Sequence, residues 1–275
     1  MPHWVSRLRS YLIWDPLIWL YTIVCGGSSL LSSFFDRDGN IQHRFARLWS
    51  SMILGTVGAR INVQGLEKID VKKASIYAVN HLSALDIPVI FRCFPFQFRI
   101  LAKKELFQYP FMGWHMRRSG QIPISFEESP KADPENPQTK PSKEPVPGRF
   151  SRLKKNFAGL TQGVKYLKTG MPIVIFPEGG RSENGQIQPF LRGAFWLALK
   201  AHVDVVPVAI VGTYEMLPMN SFHIRPHPLQ FVIGEPIPTQ GMNIRTLTEK
   251  TREAIADLYY AHSPIPDPRK AGNRQ

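Results

Sequence analysis

From Ala74 onward the chain alternates between two patterns of apolar residues. Six short runs are apolar at almost every position: "ASIYAV" (74–79), "FRILA" (98–102), "QIPIS" (121–125), "MPIVIF" (171–176), "VDVVPVAIVG" (203–212) and "LQFVIG" (229–234). Rich in Val and Ile, they read as strands covered on both faces. Between several of them the apolar positions recur at helical spacing, over Ala84–Phe94, Arg152–Lys168 and Phe190–Ala201, with Arg245–Tyr260 closing the chain. This alternation predicts an α/β sheet with helices packed on it.

Two stretches break the rhythm. Leu17 to Phe35 is a 19-residue run without a charge, preceded by "YLIW" and separated from it at Asp15-Pro16. That length just reaches across a hydrocarbon core. Gly26, Gly27, Ser28 and Ser29 sit mid-run, so the segment reads as a membrane anchor, either a helical pair dipping into one leaflet or a single span, with a buried core helix as the bland alternative. No convincing cleavage site follows, which argues against a secretory leader. Trp4, Trp14 and Trp19 flank the run and suit a membrane interface. Arg7 and Arg9 before it nearly balance Arg37, Arg44 and Arg47 after it, so charge sets no orientation. The other stretch, Ser129 to Gly148, holds six prolines and almost no large apolar residue, and is expected as an extended or disordered surface insert. The expected organisation is an anchor over 1–40, a catalytic domain over 41–262 carrying the insert at 129–148, and a tail over 263–275.

Charge narrows the partners. Lys and Arg number 34 against 21 Asp and Glu, for a net +13, which points to an anionic partner. Nucleic acid is disfavoured, because the chain has neither zinc-ligand spacing nor a recognition-helix or RNA-binding signature. Cys25 and Cys93 form no CxxC pair, so neither a disulfide framework nor a thiolate metal site is expected.

Candidate chemistry lies where strands end. "ASIYAV" runs into Asn80-His81, with Ser83 a candidate cap for the next helix and Asp86 in its first turn. A carboxylate bonded to one imidazole nitrogen fixes the tautomer and stabilises the imidazolium, leaving the other nitrogen to take a proton from a hydroxyl. In isolation such a pair is more often a turn residue and a helix cap. The second cluster, "IVIFPEGGRS", ends a strand at Pro177 and turns through Glu178, Gly179, Gly180 and Arg181. Glycines there let a ligand approach the backbone, and Arg181 offers a planar fork for phosphate. Glu178 and Arg181 as a surface ion pair is the alternative. Both clusters fall at strand ends of what reads as one sheet, where α/β folds bind ligands. His115, His202, His223 and His227 show no ligand spacing and are taken as structural or surface residues. Ser182 lacks a G-x-S-x-G elbow, and "RLKKNFAGLTQGVKYLKTG" is taken as a solvated cationic face over an apolar core rather than a lipid contact.

"NHLSALD" resembles the H-x4-D block of the 1-acylglycerol-3-phosphate acyltransferases, a family of membrane glycerolipid acyltransferases. "FPEGGRS" is similar to that family's F-P-E-G-T-R-S block. "AKKELFQYPFMGWHMRRSGQIPI" resembles the second block, with Lys103, Lys104, Pro110, Gly113 and Gly120 in familiar places, and "VVPVAIVG" the fourth, marked by Pro207. The resemblance implies a mixed, mostly parallel sheet wrapped by helices, an apolar acyl channel and an N-terminal membrane anchor. It implies His81 as general base, Asp86 as its orienting partner, and Glu178, Gly179, Gly180, Arg181, Lys103 and Lys104 at the acceptor site. No metal and no cofactor are implied. The implied reaction moves an acyl chain from acyl-CoA or acyl carrier protein to lysophosphatidic acid, on the cytoplasmic face of an anionic membrane. Two positions depart from the pattern. Gly180 stands where the family has Thr, and Ser125-Phe126 where an acidic residue and an arginine usually close the second block, with Arg117 or Arg118 as replacements for that arginine. The alternatives are another lyso-lipid acceptor, such as a lyso-ornithine lipid or a lysophospholipid, a non-catalytic membrane binder of the same fold, or a hydrolase.

Overall fold

A computed structural model describes residues 3–36, 38–109, 111–125 and 149–271. The elements in order are α1 (His3–Arg9), a π-helical turn (Ser10–Trp14), α2 (Asp15–Ser32), α3 (Asn40–Thr56), β1 (Ile61–Gln64), β2 (Ile76–Val79), α4 (Asp86–Cys93), β3 (Arg99–Lys103), α5 (Met112–Arg118), β4 (Ile122–Ile124), α6 (Arg149–Lys168), β5 (Ile173–Ile175), α7 (Phe195–Ala201), β6 (Val205–Val211), α8 (Thr213–Met216), β7 (Leu229–Ile233), α9 (Ile244–Tyr260) and α10 (Pro268–Ala271). The proline-rich insert lies outside the described residues.

All six expected strands form, and β1 joins them. Among the described residues they make one seven-stranded sheet in the order β1-β7-β6-β2-β5-β3-β4. Every neighbouring pair is parallel except β6 with β7. The ends of β2, β3, β5 and β6 therefore share one edge, which carries Asn80, Lys103, Phe176 and Gly212. β1 was not anticipated, because "INVQ" is half polar and sits at the sheet's rim with only partial burial.

Period two along each strand divides the core. Tyr77, Val79, Val174, Val206, Val208 and Ile210 pack on one face with Ile53 and Leu54 of α3 and Val89 and Ile90 of α4. Ile76, Ala78, Ile173, Ile175, Val205 and Ala209 pack on the other with Leu167 of α6, Phe195 and Leu197 of α7, and Leu247, Ile255 and Tyr259 of α9. Each Val, Ile, Leu or Phe side chain among them withdrawn from water contributes about 1.5–3 kcal/mol. Continuously apolar strands thus supply both faces at once.

The N-terminus differs from expectation. Asp15-Pro16 does not break the helix. The Asp15 N–H bonds to the Ser10 carbonyl five residues back, and Pro16 falls in the first turn of α2, where its missing N–H goes unneeded. Among the described residues no helix is long and apolar enough to cross a membrane. Within the run, Ser29 is buried and engaged with the rest of the protein, its Oγ 3.2 Å from His115 Nδ1. Trp14 is not at the periphery but 8% exposed, with the Arg9 guanidinium 4.1 Å from its ring centroid. Trp4 and Trp19 are exposed.

Candidate active site

β2 is followed by Asn80, which is fully buried and clasps the neighbouring strand. Its Nδ2 donates to the Ile210 carbonyl at 2.9 Å, and its Oδ1 accepts from the Ile210 N–H at 2.7 Å. This pair of hydrogen bonds fixes the point at which the chain leaves the sheet. His81 follows, and Asp86 Oδ2 accepts from its Nδ1 at 2.8 Å. The same oxygen accepts the backbone N–H groups of Leu82 at 2.7 Å and Ser83 at 2.9 Å. Asp86 is wholly buried and the His81 side chain is 18% exposed. A carboxylate on Nδ1 places the proton there, so Nε2 is the basic nitrogen presented outward.

Ser83 does not cap the helix as expected. α4 begins at Asp86, and the carboxylate reaching back over residues 81–83 supplies the turn's acceptor instead. Ser83 Oγ accepts from Leu85 N at 3.2 Å and donates to the Leu217 carbonyl at 2.7 Å, tying this turn to the end of α8.

The second cluster meets the first. Glu178 Oε1 accepts from the His81 N–H at 2.8 Å and Oε2 from the Gln188 N–H at 2.9 Å. The Ser182 N–H donates to the His81 carbonyl at 2.9 Å, so His81 is held by its backbone on both sides. Phe176 stacks on the imidazole at 4.2 Å between centroids and 27° between planes. Glu178 is thus a brace on backbone amides, not the partner of Arg181 in a surface ion pair. Burial pushes its carboxyl up to about 8; the nearby Asp86 charge adds to this, while the two amide bonds and Arg252 oppose it.

Gly179 turns the chain at φ 73°, a conformation glycine adopts without strain. Gly180 has open space: a Cβ built there would meet only Lys103 Nζ, at 4.0 Å. The turn that resembles a phosphate site therefore has an ammonium beside it. Lys103 and Arg181 are exposed, and Lys104 is half-buried. Neither arginine considered as a replacement in the second block is directed here. Arg117 Nη2 donates to the Phe107 carbonyl, and the Arg118 guanidinium lies 4.8 Å from the Phe34 ring centroid. Phe126 lies outside the described residues. Ser182 is buried and its Oγ donates to Asn184 Oδ1 at 3.0 Å, a turn contact.

Asn80, Phe176, Gln188 and Arg252 escaped the sequence reading as site residues. Asn80 and Phe176 adjoin motif positions, which was the available signal. Gln188 and Arg252 act from a loop and from α9, and nothing local marks them. Among the described residues, a cavity of about 520 Å³ lined by Leu54, Ala59, Ile61, Val63, Arg92 and Cys93 lies at the end of α4 remote from His81. It is not at the dyad.

With this geometry in view, the pattern of the acyltransferase family matches residues 60–211, more than half the chain and every strand from β1 to β6. The chain belongs to the acyltransferase family. It is 29% identical over 226 residues to a chloroplast 1-acyl-sn-glycerol-3-phosphate acyltransferase of Brassica napus, covering 81% of this chain and 58% of that protein. It is 30% identical over 226 residues to a 1-acyl-sn-glycerol-3-phosphate acyltransferase of Chlamydomonas reinhardtii, covering 81% and 60%. The chain thus spans a little under two thirds of these relatives' length. Its fold is similar to the crystal structure of the 1-acyl-sn-glycerophosphate acyltransferase of Thermotoga maritima, with a TM-score of 0.69 at 23% identity, covering 92% of this chain and 96% of that one.

Proposed function

We propose that this acyltransferase esterifies the free hydroxyl of lysophosphatidic acid with an acyl group from acyl-CoA or acyl carrier protein, giving phosphatidic acid. The observation that carries the proposal is the His81–Asp86 pair, buried on the Asp side and open on the His side. His81 Nε2 takes the hydroxyl proton as the oxygen attacks the thioester carbonyl. Asp86 stabilises the imidazolium while the tetrahedral intermediate forms. The intermediate then expels the thiolate, which recovers the proton from His81. No acyl-enzyme is required. Lys103 and Arg181 flank the Gly179-Gly180 turn and supply charge for the acceptor phosphate, with Lys104 adding to the field. Glu178 sets His81 by its backbone rather than meeting the acceptor first. The acyl chain is assigned an apolar channel leading from His81. The exposed apolar residues of α1 and α2 rest the protein on the cytoplasmic leaflet, so the acceptor is taken from the bilayer while the donor arrives from solution.

The test is acyl transfer by the purified protein from both donors to lysophosphatidic acid, beside a lyso-lipid lacking the free phosphate. Phosphatidic acid formation that vanishes in a folded His81→Ala variant is expected. A second reading, the same chemistry on another lyso-lipid, is favoured by Ser125 and by the engagement of Arg117 and Arg118 elsewhere. Equal or better transfer to the phosphate-free acceptor establishes it. Thioester cleavage independent of any acceptor points to a hydrolase.

A further inference from the structure

The segment following β3 presents a surface that acyl transfer does not use. Tyr109 is 58% exposed, Phe111 72%, Met112 43% and Trp114 50%. This exposure is held in place. Phe111 adopts φ 60° and ψ −60°, a backbone region that a bulky residue rarely occupies. Gly113 lies so close to Phe107 that a Cβ would collide with that residue's backbone. Arg117 bonds the Phe107 carbonyl, and the Gly113 and His115 N–H groups bond the Tyr109 and Phe111 carbonyls at 2.8 Å. A strained backbone, cross-braced so that its largest apolar side chains face outward, marks a contact surface.

This promontory does not stand alone. His115 bonds Ser29, and Arg118 sits on Phe34, so α5 is pinned to the end of α2. Leu31, Phe34 and Phe35, 69%, 64% and 89% exposed, thereby join it in one patch made from segments some eighty residues apart in sequence. A monomeric protein seldom leaves such a patch to water. From Lys103 to Arg118 four cations, Lys103, Lys104, Arg117 and Arg118, stand against one acid, Glu105. Aromatic and Met side chains bordered by arginines match the interfacial zone of an anionic bilayer, where rings sit at headgroup depth and guanidinium groups meet phosphates.

We propose that Tyr109 and residues 111–118 form a second membrane-contact element, additional to the N-terminal helices, that docks on an anionic phospholipid bilayer. It rises from the end of β3, at the sheet edge that bears His81. Docking there lays the mouth of the candidate active site along the bilayer and fixes its height. The placement rests on the acyl-transfer reading; the docking itself does not.

The experiment uses the full chain with vesicles of phosphatidylcholine containing phosphatidylglycerol, and of phosphatidylcholine alone. Phe111→Gly suits the positive φ and removes a ring, and Trp114→Gln keeps a helix-compatible residue. Partitioning of the double variant to anionic vesicles is expected to fall roughly tenfold or more, about the factor one large side chain withdrawn from water carries. Its melting temperature and its transfer to a lyso-lipid held below its micellar concentration stay at the parent values. Arg118→Gln weakens binding to the anionic vesicles more than to the neutral ones. Quenching of the parent's fluorescence by bromine-labelled lipids loses a component in Trp114→Gln, which decides the matter if the double variant fails to fold. Unchanged partitioning of the folded double variant, or quenching insensitive to Trp114, overturns the proposal. A parent dimer that the double variant converts to monomer in the absence of lipid, with partitioning unchanged, assigns the patch to a second copy of the chain and equally overturns it. Absence of transfer by the parent on every acceptor defeats the reaction proposed above and leaves the docking result standing.

Discussion

Replacing Asp86 by Asn separates charge from shape at the dyad. The amide oxygen can occupy the place of Oδ2 and accept from His81 Nδ1, Leu82 N and Ser83 N, so the turn keeps its form. Two things change. The imidazolium loses its buried counter-charge, and the new amide nitrogen takes the place of Oδ1, which has no hydrogen-bond partner among the described residues. Leaving buried donors unmet costs about 1–3 kcal/mol of stability. The loss in transfer is larger, about 10²–10⁴-fold, the range that positioned general-base catalysis supplies and that the equivalent change removes in serine-hydrolase triads. The assay is the initial rate of acyl transfer across pH, beside urea unfolding of parent and variant. A folded Asp86→Asn protein with the parent rate refutes the reasoning, because the base would then need no charged partner. A stability loss well above this range refutes the claim that the turn survives.

Other perturbations address the frame. Asn80→Ala strips both partners from the buried Ile210 amide, so unfolding in urea should show a loss of about 2–5 kcal/mol, with slower transfer as His81 loses its anchor. Gly180→Thr, which restores the family's residue, fits the open space and should leave the melting temperature near that of the parent. Gly179→Ala at φ 73° should cost about 1–2 kcal/mol. His43 packs edge-on against Phe98 and near Phe91, and burial, with Arg47 and Arg99, lowers its pKa from 6.5 to about 4. The neutral ring is therefore favoured in the fold. Its contribution is complete above pH 6.5, where the unfolded state is also neutral, and up to about 3 kcal/mol is lost as pH falls to 4. Unfolding free energy measured against pH should flatten over that window in His43→Phe, and an unchanged slope contradicts the assignment.

The parts of this protein that the sequence determined by itself are local. The continuously apolar runs had to become strands, and all six did, five of them inside the sheet and β4 at its rim. His81 and Asp86 meet because five residues and one turn separate them, and Gly179 bends because only glycine is at ease at its φ. The tertiary structure alone decided what joins distant segments. "INVQ" became a strand because the sheet offered it an edge, and β7 ran antiparallel to β6 through pairing that no periodicity encodes. Asn80 found Ile210 across 130 residues, and Glu178 found the His81 amide across 97. Even the expected break at Asp15-Pro16 closed, because a π turn absorbed the proline. Hydrogen bonds to remote backbone groups depend on where other strands lie, so they leave no mark in the residues on either side. That is why the His81–Asp86 contact was legible in the chain, and the frame that holds it was not.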